Sequence, residues 1–148
     1  MFDSNARYSV DVNFNYNMMP FVCPKKSLRE SRLALVTTGG VHLPEQPRFD
    51  IDDPSGDCSY REIPKNPHAL TWTHAYHAPD RGADLDSVFP FWTLRELVDE
   101  GVVGELNRRH FSFMGAIYDP GPLVKRTAPE VAGKVAEDGV DAVLLTPS

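Results

Sequence analysis

Apolar residues fall along this chain in short runs of strand length, and helical spacing emerges only in its second half. Leu33-Ala34-Leu35-Val36-Thr37-Thr38 is apolar and partly β-branched, follows the charged Arg29-Glu30-Ser31-Arg32, and stops at Gly39-Gly40. That pattern predicts a strand closed by a tight turn. Residues 59–63 predict a short edge strand ahead of Pro64, and residues 69–77, rich in threonine and aromatics, predict another. Residues 93–100 place Leu94, Leu97 and Val98 on one helical face, with Thr93 as N-cap or Pro90 in the first turn, and Gly101 as the stop. Residues 102–106 are expected as a turn or short helix and 111–117 as a strand. A last helix over 123–138 carries Leu123, Val124, Val131 and Val135. Pro129 breaks or kinks it near its start, and Gly139 ends it. The closing run Asp141-Ala142-Val143-Leu144-Leu145-Thr146-Pro147-Ser148 is apolar on both faces, the pattern of a buried parallel strand.

This order of elements predicts an α/β fold, Rossmann-like or flavodoxin-like, with a mainly parallel sheet and crossover helices. In such sheets ligands collect beyond the carboxyl ends of the strands. Gly39 and Gly40 after the first strand, and Thr146, Pro147 and Ser148 after the last, are therefore the expected substrate-binding border. Residues 1–32 mix asparagines with aromatics and prolines and are expected as an irregular arm, suited to packing on their own domain or on a neighbouring subunit. Residues 33–148 form the α/β domain.

Length and charge narrow the classes. A chain of 148 residues fits one core. With 21 acidic against 15 basic residues the net charge is -6, which argues against nucleic acid or an anionic membrane as partner. No apolar run reaches the ~18 residues of a membrane helix, and the amino terminus lacks the basic start and apolar core of a signal peptide. A cytoplasmic protein is expected. Cys23 and Cys58 show no CxxC or zinc-type spacing and read as free thiols in a reducing compartment. Gly39-Gly40 matches neither GxGxxG nor a P-loop, so no nucleotide site is expected. The Asp50, Asp52 and Asp53 cluster lacks EF-hand spacing and reads as a solvated loop.

Candidate chemistry rests on imidazoles. His42 follows the Gly-Gly turn, and His74 and His77 lie near a strand end set by Pro79. An imidazole titrates near neutral pH and suits proton transfer. Asp86 is a further proton-transfer or substrate-orienting candidate. The three histidines together give a metal-binding alternative, although no dedicated metal site is expected. His110 beside Ser112 lacks a Gly-x-Ser-x-Gly elbow, so serine-hydrolase chemistry is not indicated. Cys58 has Asp57 beside it, and a carboxylate disfavours a neighbouring thiolate. The residues present supply no complete catalytic set.

Three stretches carry a family resemblance: Leu33 through His42, Arg109-His110-Phe111-Ser112-Phe113-Met114-Gly115, and Asp138 through Pro147, with Ser59-Tyr60-Arg61-Glu62-Ile63-Pro64 and residues 84–90 between them. In this combination and order the chain resembles short members of the glycine/sarcosine/betaine/D-proline reductase selenoprotein B family. The resemblance implies reductive cleavage of C–N or related bonds by a selenocysteine or cysteine placed straight after the Leu-Leu-Thr-Pro strand. It also implies a small-molecule substrate, a dithiol or thioredoxin-type reductant, and a homo-oligomer or reductase-complex subunit. A selenol ionises more readily than a thiol and serves as a soft nucleophile. Ser148 is the last residue given, so the expectation is a chain cut directly before the redox residue, its last helical segment missing, through an in-frame UGA read as a stop or an intentional boundary. Such a chain is expected to be inactive by itself. The alternative is a non-catalytic partner or assembly domain of a reductase complex.

Overall fold

The computed structural model describes residues 23–74 and 84–148. The aromatics of the expected amino-terminal arm, and His77, lie outside them. The first described element is a 3-10 turn at Leu28–Glu30, where Ser27 and Glu30 cap each other reciprocally.

Strand β1 (Arg32–Thr37) is the centre of the sheet. On one side it pairs in parallel with the whole length of β7 (Ala142–Thr146), from Leu33 opposite Ala142 to Thr37 opposite Thr146. Its other side is shared by two strands. β5 (Glu105–Leu106) pairs with its start and β6 (Arg109–Phe113) with its end, both in parallel. β3 (Tyr60–Pro64) then adds antiparallel to β6 as an edge. The sheet is mixed and mostly parallel. A separate two-stranded ribbon joins β2 (Val41–His42) to β4 (Thr71–Trp72).

Alternation along the strands assigns the two faces. Leu33 and Leu35 of β1 and Ile63 of β3 point to the side covered by helix α1 (Phe91–Asp99), where Phe89, Phe91, Leu94 and Val103 complete the core. Val36, Phe111 and Phe113 point to the other side, against Val131 and Val135 of helix α2 (Ala128–Glu137). β6, α2 and β7 form a crossover that skips over β1. Pro129, near the start of α2, has no N–H to give to the Lys125 carbonyl, and the chain before it widens into a π-helical turn at Leu123–Thr127. At the other end Gly139 takes φ +66° and closes the helix, its N–H reaching the Ala136 carbonyl and that of Val140 the Val135 carbonyl.

Four expectations need correction. The closing strand is an edge, with β1 its sole strand partner among the described residues, and its faces are incompletely covered, leaving Val143 40%, Leu144 37% and Leu145 69% exposed. Residues 102–106 are a turn ending in β5, held to β1 by backbone pairing and by an Arg32–Glu105 ion pair of 2.8 Å. β6 begins two residues earlier than expected. Asp138 anchors Arg109, and His110 packs edge-on against the rings of Phe89 and Phe91, so both polar residues fit within the sheet. Within 69–77 only Thr71–Trp72 pairs as strand among the described residues.

His110 also explains how two strands share one side of β1. Its Nδ1 accepts the Leu35 N–H at 3.0 Å, replacing a strand carbonyl between the β5 and β6 pairings. Below that point, Asp138 joins the sheet to α2. Burial pushes its carboxyl up, but hydrogen bonds from Arg109, Arg108 and Asn107 outweigh this and hold it well below the ordinary carboxylate range. A polar recess of about 390 Å³ lies at this amino end of β1, lined in part by Arg32, Glu105, Arg108 and Asp138, whose charges pair with one another.

Candidate functional site

The opposite end of β1 is where the chain converges. Thr37 Oγ1 lies 2.8 Å from the Val88 carbonyl and 3.1 Å from that of Thr146, and it accepts the Gly39 N–H at 3.0 Å. Thr146 Oγ1 donates to the same Val88 carbonyl at 2.8 Å. Two threonines from neighbouring strands thus clamp one carbonyl ahead of α1. The Thr38 N–H reaches the Thr146 carbonyl at 3.1 Å. Pro147 has no N–H, so the ladder stops there, and the next donor, the Ser148 N–H, turns to the Thr38 hydroxyl at 2.9 Å.

Gly115, just beyond β6, closes the third side. A Cβ at this position would lie 2.6 Å from the Ser148 carbonyl oxygen, 3.2 Å from the Thr38 carbonyl oxygen and 3.3 Å from His74 Nε2. The carboxyl ends of β1, β6 and β7 and the buried imidazole of His74 therefore meet within contact distance of one point. Gly40 sets the turn that permits this: its φ is +65°, its N–H binds the Phe113 carbonyl at 2.9 Å, and a Cβ there would come within 2.0 Å of the Thr73 carbonyl oxygen.

Of the expected border residues, Gly39, Gly40, Thr146, Pro147 and Ser148 do lie together. The proton-transfer candidates separate. His74 lies at the convergence point. His42 is buried with Nδ1 2.8 Å from the Leu43 carbonyl, so that nitrogen carries the proton, and Nε2 accepts from Thr73 Oγ1 at 2.9 Å. Both of its nitrogens are thus occupied in holding the turn. Asp86 receives the N–H groups of Trp92 and Thr93 at 2.8 and 3.0 Å and caps α1. No group of three or more His, Cys, Asp or Glu is arranged to hold a metal among the described residues. Thr37, Thr38 and Gly115 were not singled out by the sequence. Their advance signals are membership of the stretches that carry the family resemblance and position, small or hydroxyl residues at the carboxyl ends of two apolar strands.

The family model of glycine/sarcosine/betaine reductase selenoprotein B matches residues 7–148. The chain belongs to this family. It is 36% identical over 124 residues to D-proline reductase subunit gamma of Acetoanaerobium sticklandii, covering 82% of this chain and 50% of that protein. It is 32% identical over 130 residues to glycine reductase complex component B subunit gamma of Peptoclostridium acidaminophilum, covering 82% of this chain and 28% of the relative. The protein of that name from Symbiobacterium thermophilum is 30% identical over 141 residues, 89% of this chain and 32% of the relative. The chain thus spans half or less of the length of these curated relatives. No solved structure matches it. No helix among the described residues is long and apolar enough to cross a membrane.

Proposed function

We propose that the convergence of β1, β6 and β7 is the reaction site of a cytoplasmic selenoprotein B-type reductase, with the nucleophile in the position that follows Ser148. The observation that carries this reading is the tethering of Ser148. Its N–H is held by the Thr38 hydroxyl and its carbonyl lies over Gly115, so a side chain attached one residue further along starts from a fixed place beside His74. The same arrangement fits a Rossmann-like sheet, whose ligands sit beyond the strand ends. A selenol or thiol there supplies a soft nucleophile for the carbon of an amine substrate. The chain's own part is to orient: Thr38 fixes the strand end, Gly115 leaves room for it, and His74 holds or delivers a proton to the departing nitrogen. The new bond from carbon to selenium or sulfur forms as the C–N bond breaks and the nitrogen takes a proton; a dithiol then attacks the selenium or sulfur, the carbon takes the second proton, and the second thiol frees the nucleophile and leaves a disulfide, two electrons and two protons in all.

The test is an extended chain with cysteine or selenocysteine after Ser148, assayed with a dithiol against glycine, sarcosine, betaine and D-proline. Dithiol-dependent loss of one substrate, abolished when alanine replaces that residue, is the expected result. A folded extended chain that turns over none of them overturns it. That outcome supports a second reading, an assembly domain of a reductase complex, which draws on the relatives' names as subunits and on the outer edge of β7, which has no strand partner among the described residues.

A further inference from the structure

β7 departs from the rest of the sheet in leaving apolar side chains uncovered on both of its faces. Val143 and Leu145 point to the α2 side, where they join Val36, Val131, Ala132 and Val135 in lining an open apolar groove of about 510 Å³. Leu144 is exposed on the α1 side. Beside the groove, Ala128, Ala132 and Ala136 recur every fourth residue along α2 and present only methyl groups, so a second helix could approach α2 at the short end of the ~8–10 Å packing range. The outer edge of β7 has no strand partner among the described residues.

A strand added parallel to β7 needs a connecting helix on one face of the sheet, and the α2 face holds the space for it. D-proline reductase subunit gamma has as much polypeptide again as the share this chain spans. We propose that the groove and the β7 edge are the seat of a helix–strand unit from that further part of a reductase gamma subunit, its helix lying on the alanine flank of α2 and its strand extending the sheet past β7. The inference rests on family membership and on the groove, and stands whether or not a nucleophile follows Ser148.

The test uses a chimera in which this chain replaces the matching half of intact D-proline reductase subunit gamma, alongside the 148-residue chain alone. In the chimera the β7 amides should exchange at least tenfold more slowly than in the chain alone. Leu145→Asp should lower the stability of the chimera while leaving that of the chain alone unchanged, and Val124→Asp, equally exposed but outside the groove, should be neutral in both. As a second measurement, the two halves co-expressed as separate polypeptides should co-purify, and Leu145→Asp should abolish this. Equal exchange at β7 in chimera and chain, or co-purification indifferent to Leu145→Asp, overturns the proposal. So does a dimer of the chain alone that Leu145→Asp dissolves, since a second copy would then be the occupant.

Discussion

His110 makes the stability of this fold depend on pH in a way that can be worked through. Burial against Phe89 and Phe91, with the charge of Lys65 adding to it, pushes the imidazole down to about 4. Protonation would also turn Nδ1 from the acceptor of the Leu35 N–H into a donor facing a donor. Because the folded value lies below the ~6.5 of an unfolded chain, the neutral ring favours folding. Its contribution is complete above that value and is lost as pH falls toward 4. The gap corresponds to ~3 kcal/mol, a large share of the ~5–15 kcal/mol that hold a typical domain. His110→Asn keeps an acceptor near the Nδ1 position and does not titrate. Urea unfolding at pH 7, 6, 5 and 4 should show the parent losing ~3 kcal/mol more than this variant over the interval. The variant itself should start lower, since it leaves part of the ring's space empty. Parallel curves for the two proteins would refute the reasoning, because other titrating groups cancel in the difference.

Further outcomes follow from the same geometry. Asp86→Ala should cost ~1 kcal/mol by freeing two N–H groups of α1, read as a drop in melting temperature, with Asp86→Asn recovering part of it; an unchanged melting temperature would remove the capping role. Gly40→Ala should destabilise by at least ~2 kcal/mol in urea unfolding, since it combines a positive φ with a Cβ 2.0 Å from the Thr73 carbonyl oxygen. Thr38→Val should raise hydrogen exchange at the Ser148 amide several-fold while global stability falls by less than ~1 kcal/mol. Asp138→Asn should cost ~3 kcal/mol at pH 7, because Arg109 loses its buried anion. As the Asp138 carboxyl is held well below its ordinary value, its stabilisation should persist to more acidic pH than that of His110, begin to fall as pH drops below the ordinary carboxylate value and be lost as pH falls through its folded value.

What the sequence displayed and what it hid divide along the range of the interactions involved. β1 was legible because its apolar run sits between charged residues and two glycines, all local signals. α1 was legible from Leu94, Leu97 and Val98, though its cap, Asp86, lay outside the expected start because a 3-10 turn at Leu85–Ser87 brings the carboxylate back to the helix. β5 was hidden, since two residues carry no period and its pairing is imposed by Arg32 and Leu33 from far away in the chain. The exposure of β7 was hidden for a related reason. An apolar run states that its side chains avoid water when covered, and only the topology tells whether a cover is at hand. At the candidate site the glycines and the Thr-Pro-Ser end were legible as strand-end residues. The partnership of Thr37 and Thr38 with β7 was not, because it arises from a crossover joining positions far apart in sequence.

The central place of β1 has a consequence for how the chain reaches its fold. Its partners lie far ahead of it: Arg32 meets Glu105 at a separation of 73 residues, Leu35 meets His110 at 75, and Arg32 meets Asp141 at 109. During synthesis the central strand of the sheet therefore emerges long before its partners can pair with it, and the loop that β7 must close is nearly the whole length of the described chain. Folding should be slow for a domain of this size, and β1 should remain open to wrong pairing until the segment carrying Asp141 has left the ribosome. Arg29, just ahead of it, and Arg32, its first residue, are the charges that guard this strand during the wait.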